Sequence, residues 1–251
     1  MSYLFKIVLV LSIVLNLIAL WALFHYVMYG GSPLGEIKRK LFGSSKTKTI
    51  TIPYENENNT IKKEAAEGKI DSLRVVFYGA SITHNWNLGK YFPEIHPLNR
   101  GVGGFVPDLL TKYKSNVLDL RPRAVVIKLC AINIRPQIPM SVLKDGLDMM
   151  VGLARAYDII PITTTIIPSA KPAAHIGDFS VIDSLKSYNE WVREYSVKNN
   201  LGIIDYATAI QDENGFLPRK YAKDPVHINE EGYKVLSNTA RPIIYDIIGV
   251  K

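Results

Sequence analysis

From Ser72 onward the chain alternates short apolar runs with longer segments of helical periodicity, and this alternation restricts the architecture more than any other feature. Runs rich in β-branched and aromatic residues at Leu73–Tyr78, Ala124–Leu129, Ile160–Ile167 and Gly202–Tyr206 read as buried strands. Helices are expected over Pro107–Leu118, Ser141–Tyr157, Phe179–Asn199 and Glu230–Ile248. In the second of these, Ser141 is the expected cap, and Leu143, Leu147, Met150 and Ala154 recur at helical spacing. The stretch Leu98–Phe105, rich in glycine, reads as a loop. Strands separated by helices pair in parallel and need a helix layer on each face. The expected fold class is therefore α/β, with a parallel sheet between two helix layers.

The N-terminus has a different character. Ile7 to Phe24 is almost continuously apolar, interrupted only by Ser12 and Asn16. Eighteen or more such residues suit a membrane-spanning helix. The alternative is a cleaved signal peptide, but the bulky His25-Tyr26-Val27-Met28-Tyr29 offers no small-residue cleavage site. Trp21, Tyr26 and Tyr29 suit an interfacial belt. Residues 1–29 are thus expected to be a single-pass membrane anchor, 30–70 a juxtamembrane linker, and 71–251 one domain. Within the linker, Gly30-Gly31-Ser32-Pro33 breaks the helix, Thr49–Ile52 alternates as an edge strand would, and Ile61–Gly68 reads as a brief helix closed by its glycine. Lys38, Arg39 and Lys40 can meet lipid headgroups. Counted strictly, these charges hold the domain in the cytoplasm. Long domains translocate despite such charges, so an extracytoplasmic domain is the expectation, with the side left open.

The formal charge of +7 and pI near 9.3 favour anionic surfaces in general. The lysines are scattered, with no basic stripe interleaved with aromatics, so nucleic acid is not an expected partner. The single cysteine, Cys130, excludes an intrachain disulfide and a cysteine-based metal site. It reads as a small buried hydrophobe.

Two stretches carry chemistry. The first strand stops at Gly79-Ala80-Ser81, leaving a serine at the C-terminal end of a strand, where ligands bind in open α/β sheets. Such a serine is a nucleophile if a base and an oxyanion site lie elsewhere; otherwise it forms a turn or caps a helix. The second stretch is Lys223-Asp224-Pro225-Val226-His227-Ile228-Asn229-Glu230-Glu231-Gly232-Tyr233. Asn229 is a natural helix cap, with glutamates in the first turn. Asp224 and His227 precede it on a loop. There a carboxylate can fix an imidazole tautomer and leave the other nitrogen to accept a serine proton, or the pair simply shapes the loop. Around these, His84 reads as solvated or structural, His96 and His175 show no partner, and Trp86 and Trp191 read as packing residues. Arg135 suits either an anionic substrate group or a carboxylate, and Asp205-Tyr206 belongs to a sheet end.

Gly79-Ala80-Ser81-Ile82-Thr83, the glycine-rich loop after Asn99, an asparagine after a central strand, and Asp224 to Tyr233 occur in an order that resembles the SGNH, or GDSL-type, esterase superfamily. The resemblance spans roughly Ser72 to Ile248. It implies a flavodoxin-like three-layer α/β/α fold, no metal and no other cofactor. By the same resemblance Ser81 is the nucleophile, His227 the base and Asp224 its orienting carboxylate. The oxyanion donors are Ser81 N–H, Gly104 N–H (Gly103 being the runner-up) and the Asn133 side chain. The implied function is hydrolysis of a carboxylic ester, an O-acetyl glycan or a small acyl lipid. Acyl transfer by the same triad, and a silent binding or assembly fold, are the alternatives. Two departures stand out. Ala80 replaces the family's aspartate. In place of Gly-x-Asn-Asp stands Cys130-Ala131-Ile132-Asn133, which aligns Ile132 with the asparagine unless a one-residue shift restores Asn133; that shift is the expectation.

Overall fold

The computed structural model describes residues 12, 15–17, 19–21, 54–103 and 106–250. The chain divides into two compact units, Met1–Ile52 and Pro53–Lys251. The described residues of the first are helical. No helix among the described residues is long and apolar enough to cross a membrane. The anchor expected over residues 1–29 lies largely outside the described residues, and residues 30–53 of the expected linker lie wholly outside them.

The second unit opens with helix α1 (Glu55–Ala66), within the stretch expected to be linker. Ile61 of α1 joins the core, and Asn58 is buried. The Asn58 side chain accepts from Arg100 Nε at 2.9 Å and donates to Asn116 Oδ1 at 2.8 Å. Arg100 also pairs with Glu57 at 3.0 Å and lies over the Tyr54 ring. A buried guanidinium requires such partners, and α1 supplies them. α1 thus belongs to the compact unit Pro53–Lys251.

Strand β1 (Arg74–Gly79) leads into two short helices, α2 (Ser81–His84) and α3 (Leu88–Tyr91), and then β2 (His96–Gly101). There follow α4 (Val106–Asn116), β3 (Ala124–Lys128), α5 (Met140–Ala156) and β4 (Ile160–Thr164). A small antiparallel hairpin, β5 (His175–Ile176) and β6 (Phe179–Ser180), precedes α6 (Val181–Lys198). The chain closes with β7 (Gly202–Ile204), α7 (Tyr206–Ile210) and α8 (Glu230–Ile248). The main sheet is parallel throughout, in the order β2-β1-β3-β4-β7.

Successive strand residues face opposite sides. Val75, Phe77 and Val126 pack with Leu236, Ala240 and Ile244 of α8. Val76, Tyr78, Val125 and Ile127 pack with Leu109 of α4, Leu147 of α5 and Leu185 of α6. The three-layer expectation holds.

The polar hexapeptide of β2 forms a strand where a loop is expected. Among the described residues it pairs only with β1, and such an edge position tolerates Pro97. A Cβ at Gly101 would lie 2.1 Å from His84 N, so glycine there lets β2 pass close to α2. Ser141 is not the cap of α5: Pro139, with φ −57°, precedes the first helical residue and starts the helix one residue earlier. Ser180 caps α6, and Asn229 caps α8 as expected, accepting from Gly232 N–H at 3.0 Å.

Asp205 caps α7 and ties three elements together. It accepts from Thr208 N–H at 3.2 Å, Thr165 Oγ1 at 2.9 Å and Arg193 Nε at 2.9 Å. Partial burial opposes its ionisation, but the bonds from Arg193, Thr208 and Thr165 outweigh this and hold the carboxyl below its usual range. A depressed carboxyl pKa stabilises the fold above the unfolded value, and that contribution fades as pH falls through the folded one. Asp205→Asn is expected to cost about 1–2 kcal/mol at neutral pH, discounted for partial exposure. In urea denaturation the gap between variant and parent should shrink below about pH 4.

Candidate active site

β2 and β3 lie on opposite sides of β1, so the chain's strand order reverses there. The crevice at the carboxyl ends of strands flanking such a reversal is where open α/β sheets bind ligands. A Cβ at Gly79 would come within 2.5 Å of both Lys128 O and Thr83 Oγ1, so the strand leaves the sheet through a residue without a side chain. Ala80 follows, and Ser81 opens α2. His84 N–H donates to Ala80 O at 2.9 Å and Asn85 N–H to Ser81 O at 3.0 Å, fixing the turn.

The loop before α8 brings His227 to the same place. Ala222 and Ile228 form an isolated antiparallel bridge. Lys223 N–H donates to His227 O at 2.9 Å, and Asn229 N–H donates to Tyr221 O at 2.9 Å. Asp224 Oδ1 accepts from Val226 N–H at 2.9 Å and from His227 N–H at 2.8 Å. Its Oδ2 lies 2.8 Å from His227 Nδ1. On the other side of the ring, Nε2 lies 3.0 Å from Ser81 Oγ. The Val226 N–H bond, together with the bonds from His227, outweighs desolvation and holds the Asp224 carboxyl below its usual range. Asp224 is thus an anion next to the imidazole. A carboxylate on Nδ1 keeps the proton there and leaves the Nε2 lone pair facing the hydroxyl, an arrangement able to take the serine proton as Oγ forms a bond to carbon.

Ser81 and His227 open onto a cavity of about 460 Å³ whose walls include Ile132, Ile134, Ile167 and Val181. Cys130 also lines it, and burial pushes its thiol pKa up, so it stands there as a small apolar group. Arg135, Ser169 and His175 add polar side chains to the lining, a placement no spacing in the sequence signals for His175. Lys128, opposite Gly79 in the sheet, is buried, and burial lowers its pKa to about 8; it does not line the cavity. Among the described residues no group of three or more His, Cys, Asp or Glu is placed to hold a metal.

The other expected residues fall outside this cluster. Asn133 is 1% exposed and is not part of the cavity wall. Its Oδ1 accepts from Val106 N–H at 2.8 Å, and its Nδ2 donates to Cys130 O at 3.2 Å. The side chain is committed to joining the start of α4 to the turn after β3. Ile132, 43% exposed, occupies the cavity instead. The one-residue shift is therefore corrected: the ungapped alignment fits the geometry, because a buried backbone N–H at Val106 requires the acceptor that Asn133 provides. Gly104 lies outside the described residues, while Gly103 lines the cavity. His84 Nδ1 lies 3.1 Å from Tyr54 Oη, and His96 Nδ1 pairs with Asp71 at 2.9 Å, so both are structural. Trp86 is buried among Phe77, Phe92, Tyr206 and Tyr233.

Comparison with known proteins matches residues 77–235 to a family described as GDSL-like Lipase/Acylhydrolase. No curated protein sequence matches significantly. Among solved structures, a Bacteroides fragilis protein described as an acylhydrolase superposes with a TM-score of 0.68 at 27% identity, covering 78% of this chain and 96% of its own. A GDSL-like lipase from Bacteroides thetaiotaomicron gives 0.64 at 23% identity, with 75% and 98% covered. An acetyl xylan esterase from Geobacillus stearothermophilus gives 0.56 at 16% identity, with 70% and 95% covered. The last two likenesses concern the fold alone.

Proposed function

The chain belongs to the GDSL-like lipase/acylhydrolase family and is an ester hydrolase of the SGNH type; from that premise we propose that it cleaves carboxylic esters through Ser81, His227 and Asp224. The observation that carries this reading is the unbroken chain of contacts from Ser81 Oγ through His227 to Asp224, at 3.0 and 2.8 Å. Ser81 Oγ bonds to the ester carbonyl carbon and its proton passes to His227 Nε2. The carbonyl π pair moves onto oxygen. When the tetrahedral species collapses, the bond to the alcohol breaks and His227 returns the proton to the leaving oxygen. Water then adds to the acyl-serine, its proton passing to His227 and finally to Ser81 Oγ. Ester and water become acid and alcohol, and Asp224 holds the imidazolium that forms in each half.

The negative oxygen needs preorganised donors. On this reading they are the Ser81 N–H, which as a first-turn group has no acceptor within its helix, and an N–H of the Gly103-Gly104 loop. No side-chain amide is assigned to this role. The apolar run Ile7–Phe24 supports attaching the domain to a membrane, on the extracytoplasmic side in this proposal. Ile132 in the cavity favours a second reading, a fold that binds an ester without cleaving it. Reaction with a fluorophosphonate probe separates the two. Covalent labelling at Ser81, absent in Ser81→Ala and suppressed in His227→Ala, is the result expected of the enzyme. A folded, unlabelled protein would leave only the binder.

A further inference from the structure

The cavity beside Ser81 has a chemical character of its own. Its deep wall is made by Ile134, Ile167 and Val181, each buried. Its mouth carries Ile132, Ile176 and Val226, which are 43%, 41% and 46% exposed, beside the exposed polar side chains of Arg135 and His175. A concave site walled mostly by apolar side chains suits the apolar part of a ligand. Among the described residues no tryptophan or tyrosine lines the cavity. An acetyl group would leave most of the space empty. At ~30 Å³ for each water-sized group, and with about half the volume given to the ester and its alcohol, the 460 Å³ cavity has room for roughly eight chain carbons.

Resting on the hydrolase reading above, we infer that the substrate is the ester of a medium-chain acyl group, and that this chain lies along Ile134, Ile167 and Val181. Ile176 is carried by the β5–β6 hairpin, and Ala173 lies just before it. Both line the cavity, and neither is fully buried. Each can therefore be changed with little demand on folding, and each acts on the acyl chain without touching Ser81, His227 or Asp224.

The test is kcat/KM for p-nitrophenyl esters from acetyl to dodecanoyl. For the unmodified protein it is expected to rise about fourfold per methylene (~0.8 kcal/mol) up to about octanoyl, and to fall again by dodecanoyl. Ala173→Trp, which fills the cavity, should move the optimum to shorter chains. Ile176→Asp should lower the octanoyl-to-acetyl ratio about tenfold, because a charge at the mouth opposes desolvation. A parallel readout is the labelling rate at Ser81, with an octyl fluorophosphonate expected to react faster than an ethyl one. An acetyl optimum in the unmodified protein overturns the inference while leaving the hydrolase in place. So does a profile that neither variant moves. Failure of the hydrolase reading looks different: no ester of any length is turned over and neither probe labels Ser81, and the inference falls with it.

Discussion

Replacing Ser81 with alanine is expected to lower kcat for ester hydrolysis by roughly 10⁴–10⁶-fold, and His227→Ala by a similar factor. The double variant should be no worse than either single one. The reason is geometric. Ser81 Oγ and His227 Nε2 are 3.0 Å apart and act on one proton. Without the base, the hydroxyl is a weak nucleophile at neutral pH. Without the hydroxyl, the base has no proton to take. Residues that work as one unit give non-additive losses, and what survives comes from binding and the oxyanion donors. Stability should barely change in Ser81→Ala, because the one side-chain bond lost there is to a partly exposed imidazole, and such changes usually fall within about 0.5 kcal/mol. Single-turnover kinetics and urea denaturation on the same samples check both halves. If the losses multiply in the double variant, the two residues act independently and the shared-proton mechanism is wrong.

The fold and the candidate site were legible in the sequence to unequal depth, and the physics explains the difference. Ser81, Asp224 and His227 could be read because their local settings are written in short-range chemistry: a strand run ending in Gly79-Ala80, and a capped helix starting behind Asn229. β1, β3 and β4 could be read because strands buried on both faces become continuous apolar runs. β2 could not. Among the described residues it lies on the edge and pairs on one side, and it buries Arg100, so it carries no apolar pattern. Only the C-terminal half of α1 could be read, as the brief helix over Ile61–Gly68; its first half was hidden for the complementary reason. Its polar Asn58 and Glu57 are there to serve Arg100, a residue more than forty positions away, and only the folded chain connects them. The exchange between Ile132 and Asn133 was likewise invisible. Which of the two neighbours faces the cavity depends on the single 3₁₀ turn, Ala131–Asn133, that follows β3. No periodicity exists within three residues to fix its phase.

That turn sets the second large effect. Ile132→Asn is expected to raise kcat by on the order of 10²-fold, since one well-placed oxyanion donor is worth about 10²–10³. Ile132 already lines the cavity that holds Ser81, and in the ungapped alignment it stands where the SGNH resemblance implies an asparagine. The new donor would act on charge that develops only in the transition state, so kcat should rise with KM nearly unchanged. The exception is lost acyl-chain contact at the mouth, which should raise KM for octanoyl esters relative to the parent while leaving KM for acetyl esters unchanged. The neighbouring position gives the contrast. Asn133→Ala removes the acceptor of the Val106 N–H at 2.8 Å and leaves a buried donor unpaired, at a cost of about 1–3 kcal/mol in stability. Its effect should appear in the urea midpoint rather than as a selective loss of kcat. A gain at Ile132 with a pure stability loss at Asn133 assigns the oxyanion position to residue 132. A selective kcat loss of two orders of magnitude in Asn133→Ala, with the urea midpoint unchanged, would return it to Asn133.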